Sequence, residues 1–163
     1  MRNKMIMLIS MLFLMTLVGC NNIDKKETRE VSSTFSLPIT LGDGTEGEYL
    51  LIGEEGKVGF LVGIGKKGEV VEEKIIANKV NKYMWYFWGD KDSISGNFKV
   101  VGTDKEGKEH PVLVSVDDTV WQYSNTFSYI PSNMMFPTSG LWKLEIYFNE
   151  KLFGEIVINV EES

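Results

Sequence analysis

Cysteine and histidine each occur once in the 163 residues, as Cys20 and His110. A single histidine excludes a His-rich metal centre and a two-His zinc site within one chain. Positive charge is also scarce, with 17 Lys and Arg against 23 Asp and Glu and a formal net charge of −6. Nucleic acid and anionic lipid headgroups both select basic patches, so this balance argues against nucleic acid as a partner and against charge-driven membrane docking. No G-x-S-x-G nucleophile motif occurs, and the one histidine lies between Glu109 and Pro111, where it reads as a surface residue at the start of a strand.

What is present begins at the N-terminus. Arg2 and Lys4 precede an almost unbroken apolar stretch from Met5 to Val18, a basic start followed by a segment too short for a stable transmembrane span. Leu17-Val18-Gly19-Cys20 resembles the bacterial lipobox, whose cysteine is acylated and becomes the first residue of the mature chain. The resemblance implies removal of residues 1–19 as a lipoprotein signal peptide. It also implies at least two acyl chains on Cys20, the condition for stable anchoring, and a location on the outer face of the cytoplasmic membrane. The membrane is then a partner only through that lipid. No cysteine remains for a disulfide, a nucleophile or a thiolate metal site. The removed segment holds two basic and no acidic residues, so 144 residues with a net charge of −8 remain, long enough for one core without staples.

From Asn21 to Ser33 the chain is polar and mixed in charge, with almost nothing to bury. Residues 20–33 therefore read as the lipidated cysteine and a flexible tether, and residues 34–163 as one folded domain. Beyond Thr34 the pattern has period two, broken by turn residues. Val58, Phe60 and Val62 alternate with Gly59, Leu61 and Gly63, and a second run spans Phe98 to Val101 before a turn at Asp104 to Gly107. The clearest hairpin is last: Trp142, Leu144, Ile146 and Phe148 face one way, Lys143, Glu145 and Tyr147 the other, and Ile156, Ile158 and Val160 return after a turn at Asn149 to Lys151. Only EVVEEKIIANKVNK passes for a helix. Short strands spaced by Gly- and Asp-rich turns predict an all-β fold, an antiparallel β-sandwich.

The segments ANKVNKYMWYFWGD, FKVVGTDKEG and MMFPTSGLWKLEIYFNEKLFGEIVINV resemble a family of small lipoproteins of Gram-positive, Bacillus-type spore formers that carry a domain of unknown function. That resemblance implies an immunoglobulin-like sandwich over most of residues 34–163. It supplies no catalytic residues, and the chain is expected not to be an enzyme.

Local chemistry is thin elsewhere. Gly63-Ile64-Gly65-Lys66-Lys67-Gly68 matches G-x-G-x-x-G, but a dinucleotide site needs a helix starting there and a parallel sheet behind it; a Gly-rich hairpin turn fits better, and neither nucleotide nor other cofactor is expected. Asp90 and Asp92 begin like a calcium loop, yet Ile94 stands where an oxygen ligand belongs. The acidic pairs Glu54-Glu55, Glu72-Glu73 and Asp117-Asp118 read as solvated turns and edges, since neighbours on a strand point to opposite faces.

The aromatic run NKYMWYFWGDKD decides more. On a strand, Tyr83, Trp85 and Phe87 share one face and fill a core, while Met84, Tyr86 and Trp88 share the other and need a cover or a partner. The outward face around Tyr86 and Trp88, with Met134, Met135 and Phe136 beside it, is the candidate binding surface of a non-enzymatic module for a protein or cell-envelope component. A cover from within the chain, over residues 124–140, is the competing expectation for that face. An alternative function is metal handling, copper above all, with His110, Met134 and Met135 as ligands.

Overall fold

The computed structural model describes residues 29–116, 121–122 and 126–163. The described residues contain twelve strands and no helix: β1 (Thr34–Thr40), β2 (Glu46–Glu54), β3 (Val58–Lys66), β4 (Ile75–Ile76), β5 (Asn81–Phe87), β6 (Phe98–Thr103), β7 (Glu109–His110), β8 (Leu113–Val116), β9 (Trp121–Gln122), β10 (Ser128–Met134), β11 (Gly140–Phe148) and β12 (Lys151–Glu161). They form two sheets. The larger runs β1-β2-β3-β5-β10-β8, with β9 also on β10, and the smaller runs β4-β12-β11-β6-β7. Every pairing is antiparallel except that of β4 with β12.

The expected sandwich is what forms, and alternation is the reason. Phe60, Trp85, Phe87 and Ile130 of the larger sheet meet Phe98, Trp142, Leu144, Ile146 and Ile158 of the smaller one, all buried in a single core. In the β11–β12 hairpin the burial alternates residue by residue, as the sequence predicts. Its two-residue turn, Asn149 and Glu150, has both residues at positive φ, 47° and 65°, the geometry whose twist matches flanking strands.

The helix-like stretch EVVEEKIIANKVNK is extended instead. Ile75 and Ala77 are buried, Ile75 pairs with Val160, and the Glu73 amide donates to the Val62 carbonyl at 2.6 Å. Ile75 and Ala77 fill an edge of the sandwich, while Val71 and Val80 stand exposed, so the segment presents no single apolar helix face. Where it crosses β3, a β-carbon on Gly63 would lie 2.7 Å from the Val71 carbonyl oxygen. The G-x-G-x-x-G match is therefore a backbone crossing followed by a turn at Gly68, with φ of +80°. Gly63→Ala is expected to destabilise the domain by about 1–3 kcal/mol through overpacking. Urea midpoints compare the two proteins, and an unchanged midpoint would mean that the crossing relaxes freely.

All strands run between the same two ends. One carries the β6–β7 turn, the β1–β2 turn and the start of β11; the other carries the β2–β3 and β11–β12 turns. On the outer edge of the larger sheet, β1 includes Pro38, opposite Glu48.

The polar lead-in does not run free as far as residue 33. Ser32 pairs with Val157 through its backbone amide and its hydroxyl, at 2.9 and 2.8 Å, and Ser33 accepts from the Gly53 amide at 3.0 Å. Arg29 Nη1 donates to the carbonyls of Thr103 and Asp104. Hydrogen bonds to the main chain carry no hydrophobic signature, so composition alone gives no sign of this docking.

Candidate functional site

Tyr83, Trp85 and Phe87 point into the core, with exposures of 7%, 0% and 0%. The Trp85 indole donates to the Ser132 hydroxyl at 3.0 Å and meets Phe60 and Phe98 edge to face. The opposite face of β5 is built differently from the expectation. Tyr86 is 5% exposed, hence not an open contact, while Trp88 is half-buried. The physical cause is register. Tyr129 lies directly opposite Tyr86 on β10, so residues 128–134 flank the run as a paired strand instead of folding over it.

The result is an aromatic strip on the outer face of the larger sheet. Phe35 meets Trp88 at 5.9 Å, Trp88 meets Phe127 at 5.8 Å, and Tyr86 contacts Phe127, Tyr129 and Tyr49 at 5.7, 6.0 and 5.6 Å between centroids. Such pairs each add about 0.5–1.5 kcal/mol beyond area burial, so the rings of the strip stabilise one another. Beside it lies a groove of about 260 Å³. Leu61, Met84 and Tyr86 line it together with Tyr49 and Ile64 on one side and Phe127 and Tyr129 on the other, without a charged side chain among them. Ile64 stands 55% exposed at its rim. Tyr49 is the one aromatic of β2 and Tyr129 that of β10, with Phe127 just before it, so none of them stands in an aromatic run that would draw a reading by sequence. The signal is their spacing, Phe127 and Tyr129 being two apart and thus on one face.

The other candidates scatter. Met134 and Phe136 are fully buried in the core and Met135 is half-buried, so the methionine pair offers no open surface. Met134 packs inward because β10 alternates Ser128, Ile130, Ser132 and Met134 toward the smaller sheet. Leu17, Val18, Gly19 and Cys20 lie outside the described residues.

His110 is not the surface residue expected at a strand end. Its side chain is 17% exposed, Nε2 lies 2.7 Å from Asp104 Oδ2, and its ring packs on Trp142 at 5.1 Å. Asp104 Oδ1 meanwhile accepts the amides of Glu106 and Lys108 at 2.9 and 3.0 Å. Burial pushes the Asp104 carboxyl up, the largest single influence, but the His110 bond and the two amides together outweigh it and hold the group below the usual carboxylate range. The pair clamps the β6–β7 turn. With His110 engaged there and Met134 in the core, the copper ligand set does not assemble.

Asp90, the start of the calcium-like loop, accepts the amides of Asp92 and Ser93 at 3.0 and 2.9 Å, so its carboxylate closes a turn. Among the described residues no group of three or more His, Cys, Asp or Glu is arranged to hold a metal.

Residues 44–158 match the family described as a domain of unknown function, DUF4871. The chain belongs to that family. The DUF4871 match runs from the β1–β2 turn to β12 and so includes the aromatic strip except Phe35. A crystal structure described as a candidate lipoprotein from Bacillus anthracis is similar to this DUF4871 chain, with 24% identity over 81% of this chain and 86% of that one and a TM-score of 0.54. At that identity the likeness speaks for the fold. No curated protein matches the chain.

Proposed function

We propose that the protein is a lipoprotein held by acyl chains on Cys20 at the outer face of the cytoplasmic membrane, and that its sandwich is a non-enzymatic binding module for a protein or cell-envelope component. The lipobox Leu17-Val18-Gly19-Cys20 supports the anchor, as does the likeness to a candidate lipoprotein of Bacillus anthracis. The immunoglobulin-like assignment is supported by the two-sheet packing around Trp85 and Trp142.

The observation that carries the binding role is the aromatic groove. A sandwich needs one buried face per sheet. Here the larger sheet invests a second set of rings on its solvent side, and an uncharged groove bordered by tyrosines suits a partner that is itself apolar or weakly polar. The net charge of −8 after processing disfavours strongly anionic polymers.

Ile64→Lys places a charge at the groove's rim without touching the core. With residues 21–163 carrying a photocrosslinker at residue 61, labelling of intact cells and cosedimentation with purified cell-wall sacculi are expected to fall about tenfold in this variant, the effect of losing ~1.4 kcal/mol of binding. The melting temperature should stay within about 2 °C, as for an ordinary surface change. Undiminished capture would place the contact on another face.

A further inference from the structure

The geometry points to an extended polypeptide segment as the partner, added as a strand in a fork between β3 and β5; this rests on the binding role proposed above and narrows it to a peptide. The ladder joining β3 to β5 covers only Val58 to Phe60 against Phe87 to Trp85. Both strands continue beyond it, β3 on β2 as far as Lys66 and β5 on β10 as far as Asn81. Their facing edges therefore part in the middle of the larger sheet. A cavity of about 110 Å³ lies between residues 61–64 on one side and 81–84 on the other. Glu73, Lys74 and Ile75, leading to β12, close it from the core side. Leu61, Ile64 and Met84 line both this cavity and the aromatic groove, so the fork opens outward into the groove.

Hydrogen-bond direction decides what fits there. Successive residues of a strand aim their amide and carbonyl at alternate neighbours. The Trp88 amide donates to the Lys57 carbonyl at 2.9 Å, continuing the β3–β5 register, so the even-numbered residues of β5 face β3 and the odd-numbered ones face β10. Lys82 thus aims its main-chain groups into the fork, beyond the end of the ladder. Its amide donates instead to the Asn81 side-chain oxygen at 2.9 Å, a local stand-in for a strand partner. On the opposite edge the Val62 carbonyl accepts from the Glu73 amide at 2.6 Å, so β3 is already bonded by extended chain and the edge of β5 is the one left to pair. A peptide main chain supplies donors and acceptors at the strand repeat, which a sugar ring or an acyl chain does not.

Side chains set the kind of segment. Lys82, Met84 and Tyr86 share the outer side of β5, and Met84 and Tyr86 line the groove. Lys57, Lys67, Lys74 and Lys143 each pair with a glutamate, whereas the exposed Lys82 enters no ion pair among the described residues. A strand laid along β5 sets its own alternate residues against these three, and opposite charges across a ladder attract. The fitting segment therefore carries two apolar or aromatic residues at alternate positions, for the groove, and an acidic residue at the next alternate position, for Lys82.

Selection from a phage-displayed random heptapeptide library on residues 21–163, which include every described residue, tests this, with the strongest binder then titrated as a synthetic peptide. Lys82→Pro removes an amide aimed into the fork and spares the β10 ladder, so it should weaken that peptide about tenfold or more. Lys82→Ala keeps the amide and should cost no more than about threefold, as for an exposed ion pair. On the native protein, methylating the peptide's amides one at a time should abolish binding at alternate positions and leave those between nearly unchanged. This series decides the matter even where the proline variant loses its near-UV circular dichroism. A peptide indifferent to Lys82→Pro in a folded variant, or tolerant of every methylation, overturns strand addition. So does a library that yields no binder weakened by Ile64→Lys. Labelling of cells or sacculi that still falls with Ile64→Lys would then assign the groove to a non-peptide component, and the peptide inference fails alone; labelling indifferent to Ile64→Lys overturns the binding role of the groove as well.

Discussion

Trp85→Ala is expected to lower the unfolding free energy by about 4 kcal/mol, the cost of deleting a large aromatic from a packed core. The side chain is fully buried at the middle of β5, with Phe60 at 4.7 Å and Phe98 at 6.0 Å between ring centroids, and so touches both sheets. Its loss leaves a cavity between layers that cannot move independently, and also strips the donor from Ser132, which is 2% exposed. Against a typical total of about 5–15 kcal/mol, such a loss brings the domain close to unfolding at growth temperature. Trp85→Phe is the milder change, since it keeps one ring but removes the indole donor together with part of the bicycle; about 1–3 kcal/mol is expected from the smaller cavity and the unpaired hydroxyl together. Urea denaturation of both variants decides the matter. A loss below about 1.5 kcal/mol for the alanine variant would show that the core is not centred on this strand.

Asp104→Ala is the second large effect, about 3 kcal/mol at neutral pH, because it leaves two amides and His110 without their charged acceptor. This loss should depend on pH in a defined direction. The carboxyl is held below its ordinary value in the folded chain, so its contribution is complete above the unfolded pKa of about 3.9 and disappears as pH falls through the lower folded value. The stability gap between native and variant proteins should therefore be constant from pH 7 to about 5 and shrink below about 4. Comparing the two proteins at each pH cancels the other carboxylates with lowered values, Asp43 and Asp90. A gap of equal size at pH 3 and pH 7 would mean that the clamp acts through packing on Trp142 and not through charge.

Much of the sandwich is legible in sequence wherever burial alternates. The hairpin from Gly140 to Glu161 can be read from the spacing of Trp142, Leu144, Ile146 and Phe148, because hydrophobic period and strand geometry coincide there. The inward half of the aromatic run follows the same rule. The outward half needs information that no local pattern holds, since Tyr86 is covered by Tyr129 and Phe127, about forty residues away, and that contact depends on the pairing of β5 with β10. Arg29 and Ser32 are harder still. They act through main-chain acceptors on β6 and β12, and a polar, charge-mixed segment with those contacts has the composition of one without them. The helix-like EVVEEKIIANKVNK shows the reverse failure, a plausible local period overridden by the demand for apolar side chains along the edge of a sheet.

Pro38, on the outer edge strand, acquires a different meaning on a membrane. Copies confined to a bilayer share two dimensions instead of three and meet far more often than the same number free in solution. A bare strand edge then becomes a template on which neighbours add. Pro38 offers no N–H to an incoming strand, and the charged Glu46 and Glu48 stand on the strand behind it. An edge interrupted in this way resists strand addition by a neighbour, whereas the ring-lined face beside it is the surface proposed above for selective contact.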